Sequence, residues 1–428
     1  LTIIDLPTPQ DLVLDSTTRG VPPGISLHDS AITSEHWSPL DGSMTLPVMT
    51  LDQSVLLANT NHFLAFAKDE GVFLAPHAKT PMMPQFAASL VARGAWGATV
   101  ANVQQLSAMQ EQTISDIIYA SPPGGRIGAS HLAAAIGRRP ASKVFVFLDS
   151  VETVDALHQA LARVDGACAY GLVEVGFGRT GARNLAASIA IRDAILSTKG
   201  LIALAGVATY EAAAVVKDVD HRKTFDRLFK LVEETFLSVH DAVSNDTPLI
   251  ISAGGSTYFD DVIRALRPLS KKYDVPLVLR SGAIFFSDDG LYSRAFEAMA
   301  KRGFAAPIAR AIRPALSLWA EIISRPEPGL AIAGFGMRDA PNDQGLPVIR
   351  RVFRNGSDIG IGGEQLPVVD KLNDQHAFIG SGAVDDVRVG DVLELGISHP
   401  CTAFQRWNAV YATDERHVVQ AVLRTHFG

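Results

Sequence analysis

From residue 73 onward the hydrophobic and polar positions fall into a repeating order. Short apolar or β-branched runs end in polar or glycine-rich turns, and Ala/Leu-rich stretches of helical character follow each one. The strand-like runs are Phe73–Lys79, Ala98–Asn102, Ile117–Ala120 and Val144–Leu148, then Gly171–Val175, Leu201–Val207, Leu249–Ala253 and Pro276–Leu279. Helical stretches such as Pro84–Arg93, Val151–Arg163, Asn184–Thr198 and His221–Val239 lie between them. Buried parallel strands read as continuous apolar runs, and their alternation with helices argues for βα units. Eight such units over roughly 210 residues suit a (β/α)8 barrel. A doubly wound open sheet is the alternative.

The flanks follow other patterns. Residues 1–45 carry scattered Pro, Asp and Ser and read as an irregular arm packed on a second domain. Ser54–Glu70 has helical spacing, and residues 291–324 also look helical. Beyond them Leu330–Gly336, Val348–Phe353, Asp386–Val389 and Val392–Leu395 alternate like short strands. The expected organisation is therefore an arm over 1–45, a barrel over 46–290 and a β-rich domain over 291–428. At 428 residues the chain is too long for one ordinary core, which agrees.

Composition narrows the classes. Hydrophobic residues make up 47% and charged residues 19%, as in a compact soluble enzyme. A formal net charge of -7 gives no electrostatic footprint for nucleic acid or an acidic membrane surface. The two cysteines, Cys168 and Cys401, imply no disulfide framework and suit a reducing cytoplasm. No apolar run has the length of a membrane span, and no basic segment with an apolar core opens the chain.

In a barrel the active site lies at the C-terminal ends of the strands. The first run ends at Lys79, an amine able to condense with an aldehyde or to act as a base. The fifth leads into Gly176-Phe177-Gly178-Arg179-Thr180-Gly181 and the sixth into Tyr210-Glu211. After the seventh and eighth come Gly254-Gly255-Ser256-Thr257 and Arg280-Ser281-Gly282. Glycine and hydroxyl residues there suit a phosphate, because bare backbone N–H groups can approach it closely. A lysine facing a phosphate cup implies an aldehyde cofactor that carries a phosphate, pyridoxal phosphate. Gly176, Gly178 and Gly181 also form a G-x-G-x-x-G after a strand, the dinucleotide fingerprint. It sits in the fifth unit rather than opening a nucleotide domain, so a nicotinamide oxidoreductase ranks well below.

Pro76-His77-Ala78-Lys79-Thr80, the glycine run from Gly176, Tyr210-Glu211 and Ser252-Ala253-Gly254-Gly255-Ser256 together resemble successive motifs of fold-type III pyridoxal-phosphate enzymes. Within these, the match is to the D-serine dehydratase and D-threonine aldolase group, over roughly residues 46–428. The resemblance implies an alanine-racemase-like barrel with a C-terminal β domain, working as a homodimer. It implies that Lys79 bonds the cofactor, that His77, Arg179 and Tyr210 line it, and that Gly254, Gly255, Ser256, Ser281 and Gly282 hold its phosphate. Pro81 stands where that family commonly has a histidine, and the N-terminal arm is long for it.

The C-terminal His399-Pro400-Cys401-Thr402 gives a His-x-Cys pair, which in the dehydratase branch binds zinc, whereas the aldolase branch resembles a His-x-Asp pair. Imidazole plus thiolate suits Zn2+, and an extended backbone would turn both side chains to one face. The implied activity is β-elimination from a β-hydroxy D-amino acid such as D-serine or D-threonine, giving a 2-oxo acid and ammonia. The alternatives are a D-threonine-type aldolase, a non-catalytic pyridoxal-phosphate carrier, and a racemase. A racemase would need a second base, and Tyr411 is the only tyrosine after Tyr292.

Overall fold

The alternation from residue 73 folds into eight parallel strands. The structure, a computed structural model, describes residues 12–216, 220–244, 247–361 and 366–427. The strands are Phe73–Leu74, Ala98–Val100, Asp116–Tyr119, Lys143–Leu148, Ala169–Val175, Ile202–Thr209, Ile250–Ala253 and Leu277–Leu279. Each falls on an expected apolar run. In the sheet the first strand pairs with the eighth, and pairing then descends in order to the second. The ring closes just past the first strand, where Thr99 N–H donates to Pro76 O at 3.0 Å and Ala78 N–H to Thr99 O at 2.8 Å. A doubly wound sheet would leave those two edges unpaired, so the fold is the (β/α)8 barrel.

Small and large side chains share the buried cluster of Ala75, Ile118, Phe145, Phe147, Leu172, Ala205, Ala208, Ile250 and Val278, as a filled barrel requires. The helices start where short polar side chains can cap them. Asn102 accepts from Gln105 N–H before Val103–Gln110, Ser150 and Thr153 form a capping box before Val151–Leu161, and Asn184 accepts from Ala187 N–H before Leu185–Ser197. The barrel unit comprises Leu64–Lys79 and Pro84–Gly282.

The second unit takes the described residues up to Phe63, Thr80–Met83 and those from Ala283 on. Among the described residues its main sheet has ten strands, antiparallel apart from one parallel pair. The central strand Leu316–Glu327 pairs with Val392–Gly396 on one side and with Leu330–Ala333 and Val48–Asp52 on the other. The boundary between units differs from the one expected. Val48–Asp52, expected within the barrel segment 46–290, is a strand of this sheet, and Asn59 Nδ2 donates to Phe285 O and Arg313 O at 2.9 and 2.7 Å. The division falls inside helix Gln53–Glu70.

Of the stretch 291–324, only Leu291–Arg302 and Ala306–Ala311 are helical, and Leu316–Glu327 is the longest strand of the sheet. Pro314 breaks the helical run, and strand pairing then overrides the helix-forming Leu, Ala and Glu. Asp386–Val389 is not a strand; Val384–Asp386 is a single 3-10 turn. Residues 1–11 of the arm lie outside the described residues, and the remainder is less irregular than expected. Val13–Asp15 pairs with Ser26–His28, and Leu14, Val21, Ile32, Trp37 and Met44 share a core with Trp319, Phe353 and Tyr411. Among the described residues no helix is long and apolar enough to cross a membrane.

Candidate active site

At the C-terminal end of the barrel, the strand ends bring together most of the residues singled out from sequence. Lys79 follows the first strand with an exposed side chain, and its backbone N–H lies 3.4 Å from His77 Nδ1. His77 is pinned by its own N–H, which donates to Arg280 O at 3.1 Å. Burial, then the charges of Lys79 and Arg280, push its pKa well below the usual imidazole range. It is therefore neutral at neutral pH. Arg179 stacks its guanidinium over the Tyr210 ring at 4.8 Å.

Two buried groups to which the sequence reading assigns no role organise this end. Arg280, the residue after the eighth strand, donates to Ser252 Oγ at 2.8 Å and to Thr209 O at 2.6 Å. Burial lowers its pKa to about 10, opposed by Glu211 and Glu174, so it stays charged. Glu211 is fully buried and accepts Gly254 N–H at 3.1 Å and Gly255 N–H at 2.8 Å. Burial raises its pKa, and those N–H groups oppose the rise.

The two glycine N–H groups expected at a phosphate are thus directed at a carboxylate. A side chain on Gly255 would meet Tyr210 Cε2 at 2.9 Å. Of the other cup residues, Ser256 is buried, Ser281 Oγ donates to Gly254 O at 3.2 Å, and Gly282 packs on the backbone of His77. A Cβ on Gly282 would stand 2.4 Å from His77 O.

Unsatisfied groups mark the same end. Thr209 Oγ1 and Glu174 Oε2 are buried with no partner among the described residues, although Glu174 Oε1 accepts from Thr180 Oγ1 at 2.7 Å. Buried polar atoms are ordinarily paired, so orphans at a strand-end cluster indicate a missing partner. An amine, a fixed guanidinium and unpaired buried oxygens fit a polar aldehyde cofactor such as pyridoxal phosphate.

The G-x-G-x-x-G loop is built for something else. Its carbonyls at Gly176, Arg179 and Thr180 all accept from the Arg183 guanidinium. A Cβ on Gly178 would strike Ala213 O at 2.0 Å, so close backbone packing accounts for that glycine. The loop turns carbonyls inward to a cation, the opposite of an anion cradle.

In the second unit His399 and Cys401 are brought together, but not by an extended backbone. His399 is the N-cap of the short helix Pro400–Phe404, extended at φ -161°, and Cys401 lies in its first turn. His399 Nδ1 sits 2.6 Å from Asp343 Oδ2, and Thr402 Oγ1 donates to Asp343 Oδ1 at 2.8 Å. Cys401 is a free, half-buried thiol with its Sγ 3.3 Å from Thr80 Oγ1.

Burial works against a charged His399, but Cys401 and Asp343 outweigh it, and its pKa is pushed up to about 9. No cluster of three or more metal-ligating side chains occurs among the described residues. An imidazole and a thiol are donors of the kind zinc takes, and with no third such ligand beside them among the described residues the ion's other positions would be open to water and substrate. Asp343 gave no sequence signal, since it lies 56 positions before His399. Tyr411 is buried in the core of this unit with its O–H donating to Arg19 O at 2.7 Å. Buried there with its O–H given to a backbone carbonyl, it is not placed to serve as a racemase base.

Comparison with known proteins agrees with the fold. Residues 315–413 match the model of a putative serine dehydratase domain. No curated protein matches the sequence. Among solved structures, D-threonine aldolase from Filomicrobium marinum matches with a TM-score of 0.70 at 20% identity, covering 90% of this chain and 95% of its own. D-threo-3-hydroxyaspartate dehydratase from Delftia sp. HT23 matches at 0.68 and 20% identity, covering 91% and 99%. That dehydratase is matched also as variants in which a histidine, or the cysteine two positions on, is replaced by alanine, the latter in a metal-free form. Alanine racemase from Clostridium difficile 630 matches at 0.60 and 14% identity, covering 89% and 99%. Residues 315–413 thus match a putative serine dehydratase domain, and the chain has an alanine-racemase-like fold.

Proposed function

We propose that the protein is a pyridoxal phosphate- and zinc-dependent dehydratase, working as a homodimer on β-hydroxy D-amino acids such as D-serine or D-threonine. The products are a 2-oxo acid and ammonia. The observation that carries this reading is the His399–Cys401 pair held by Asp343, a thiol–imidazole donor set on a serine dehydratase-like domain. A hydroxyaspartate dehydratase matched by fold has a histidine and a cysteine at the same spacing, each the site of an alanine variant, and the cysteine variant is described in a metal-free form, which supports it.

Pyridoxal phosphate, when bound, supplies the electron sink that makes the α-proton of an amino acid removable. Lys79 would bond it, and the freed amine would then take the α-proton. His77, Arg179 and Tyr210 would line it. The turns at Ser256 and at Ser281-Gly282 would hold its phosphate, with Glu211 fixing the Gly254-Gly255 backbone behind them. Neutral His77 adds no second positive charge beside Lys79. Zinc, when bound, supplies a Lewis acid for the β-hydroxyl, a poor leaving group unaided. His399 and Cys401 would hold it and leave its remaining positions open.

A D-threonine-type aldolase is the second reading, favoured by the fold match to D-threonine aldolase. It would break Cα–Cβ with the same lysine. Purified protein given D-serine, D-threonine and D-threo-3-hydroxyaspartate separates the two. Release of 2-oxo acid and ammonia supports the dehydratase, and release of glycine and an aldehyde replaces it with the aldolase. Lys79→Ala should show no turnover with any of them, and borohydride should fix the cofactor to the peptide that contains Lys79. A Lys79→Ala protein with substantial activity would end both readings.

A further inference from the structure

We infer that Asp343 is a positioning residue for the metal pair, holding His399 by Nδ1 so that Nε2 is the nitrogen presented to zinc. The inference rests on the zinc reading of His399 and Cys401 and deepens it. Asp343 Oδ2 lies 2.6 Å from His399 Nδ1, a charge-assisted distance. Its second oxygen accepts the Thr402 hydroxyl at 2.8 Å, so the carboxylate is itself oriented by the residue after Cys401.

An ionised carboxylate only accepts, so Nδ1 must carry the hydrogen in this contact. With Nδ1 engaged by Asp343, Nε2 is the ring nitrogen left for a metal, which would displace the proton that the charged ring carries there. Metal-bound histidines commonly give their other N–H to a carboxylate, which fixes the ring and strengthens it as a ligand. Here the partner comes from a segment far away in sequence, so ring orientation depends on the fold rather than on the local turn.

The test is zinc affinity, read by competition with a chromophoric chelator on the full chain. Replacing such a carboxylate costs on the order of 10–100-fold in metal affinity, and Asp343→Ala should fall in that range. Asp343→Asn should lose less, because its amide oxygen can still accept from Nδ1–H while its NH2 group meets Thr402. Nitrogen-15 NMR of histidine-labelled, zinc-loaded protein should show hydrogen on His399 Nδ1 and the metal on Nε2. Zinc on Nδ1, or Asp343→Ala affinity equal to that of the unaltered protein, overturns the inference and leaves the zinc reading standing. Failure of the unaltered protein to bind zinc removes the zinc reading and the inference with it. If Asp343→Ala does not fold, as judged by its metal-free thermal transition, Asp343→Asn and the nitrogen-15 assignment still decide the matter.

Discussion

The indole N–H of Trp319 donates to the Thr50 hydroxyl at 2.8 Å, across 269 residues of chain. Both groups are buried, and their strands pair directly, with Leu318 opposite Met49 and Ser317 opposite Thr50. The N-terminal segment is therefore a structural member of the β-rich unit rather than an appendage. Thr50→Val keeps the side-chain shape but leaves a buried indole N–H without an acceptor. That should cost about 1–3 kcal/mol of stability, read as a lower denaturant midpoint. A midpoint unchanged from the unaltered protein would mean that the bond contributes nothing net.

How much of this was legible in the sequence depended on the range of the interaction. The barrel strands announce themselves because, apart from exposed positions such as Phe73, they are buried on both faces and so read as apolar runs. Lys79, Tyr210 and the glycine turns are legible because the barrel places strand ends at its active face, whatever the loops do. Leu316–Glu327 was not legible, because its Leu, Ala and Glu suit a helix and only the partner strands decide otherwise. Glu211 and Asp343 were missed for a related reason. Their meaning lies in partners 43, 44, 56 and 59 positions away, which no local pattern encodes.

The two glycines at the barrel mouth should respond differently to the same added methyl. At Gly255 the nearest atom to a new Cβ is Tyr210 Cε2 at 2.9 Å, part of a side chain that can turn aside. Gly255→Ala should keep the fold and weaken cofactor binding, through Tyr210 and the Arg179 stacked on it. At Gly282 the nearest atoms are His77 O at 2.4 Å and His77 N at 2.8 Å, which are backbone. Gly282→Ala should therefore lose roughly 1–3 kcal/mol or more of stability by overpacking. Thermal melts and cofactor titrations on both variants check the contrast, and equal melting temperatures would contradict it.

Asp288 gives a pH signature. It is fully buried, Oδ1 accepts Gly290 N–H and Tyr292 N–H at 2.8 Å each, and Oδ2 has no partner among the described residues. Burial raises its pKa from 3.8 to about 7, against the pull of those N–H groups. A carboxyl with a raised folded-state pKa is most favourable below its unfolded value and loses that contribution as pH climbs through the folded one. Asp288→Asn preserves the Oδ1 contacts and cannot ionise. Its stability relative to the unaltered protein should grow between about pH 4 and pH 7 and level off above, by a few kcal/mol at most. A difference that does not change with pH would show that Asp288 is not buried in its neutral form.

Removal of zinc should separate the two halves of the proposed chemistry. His399 and Cys401 lie in the β-rich unit, whereas Lys79 and the residues proposed to line the cofactor lie in the barrel unit. The metal is assigned to the leaving hydroxyl and the lysine to the cofactor, so losing one should not cost the other. Chelation, or Cys401→Ala, should stop release of 2-oxo acid from D-serine while the visible absorbance of bound cofactor persists. Restoring zinc should recover activity in the chelated protein but not in Cys401→Ala, which lacks the thiolate. Cys168→Ala is the control, since that thiol is exposed and belongs to the barrel unit; its activity should stay within about twofold of the unaltered protein, as surface changes usually do. Full 2-oxo acid release from protein shown by elemental analysis to be metal-free would refute the role given to His399 and Cys401. Loss of the cofactor absorbance on chelation would instead mean that the metal helps to hold the cofactor.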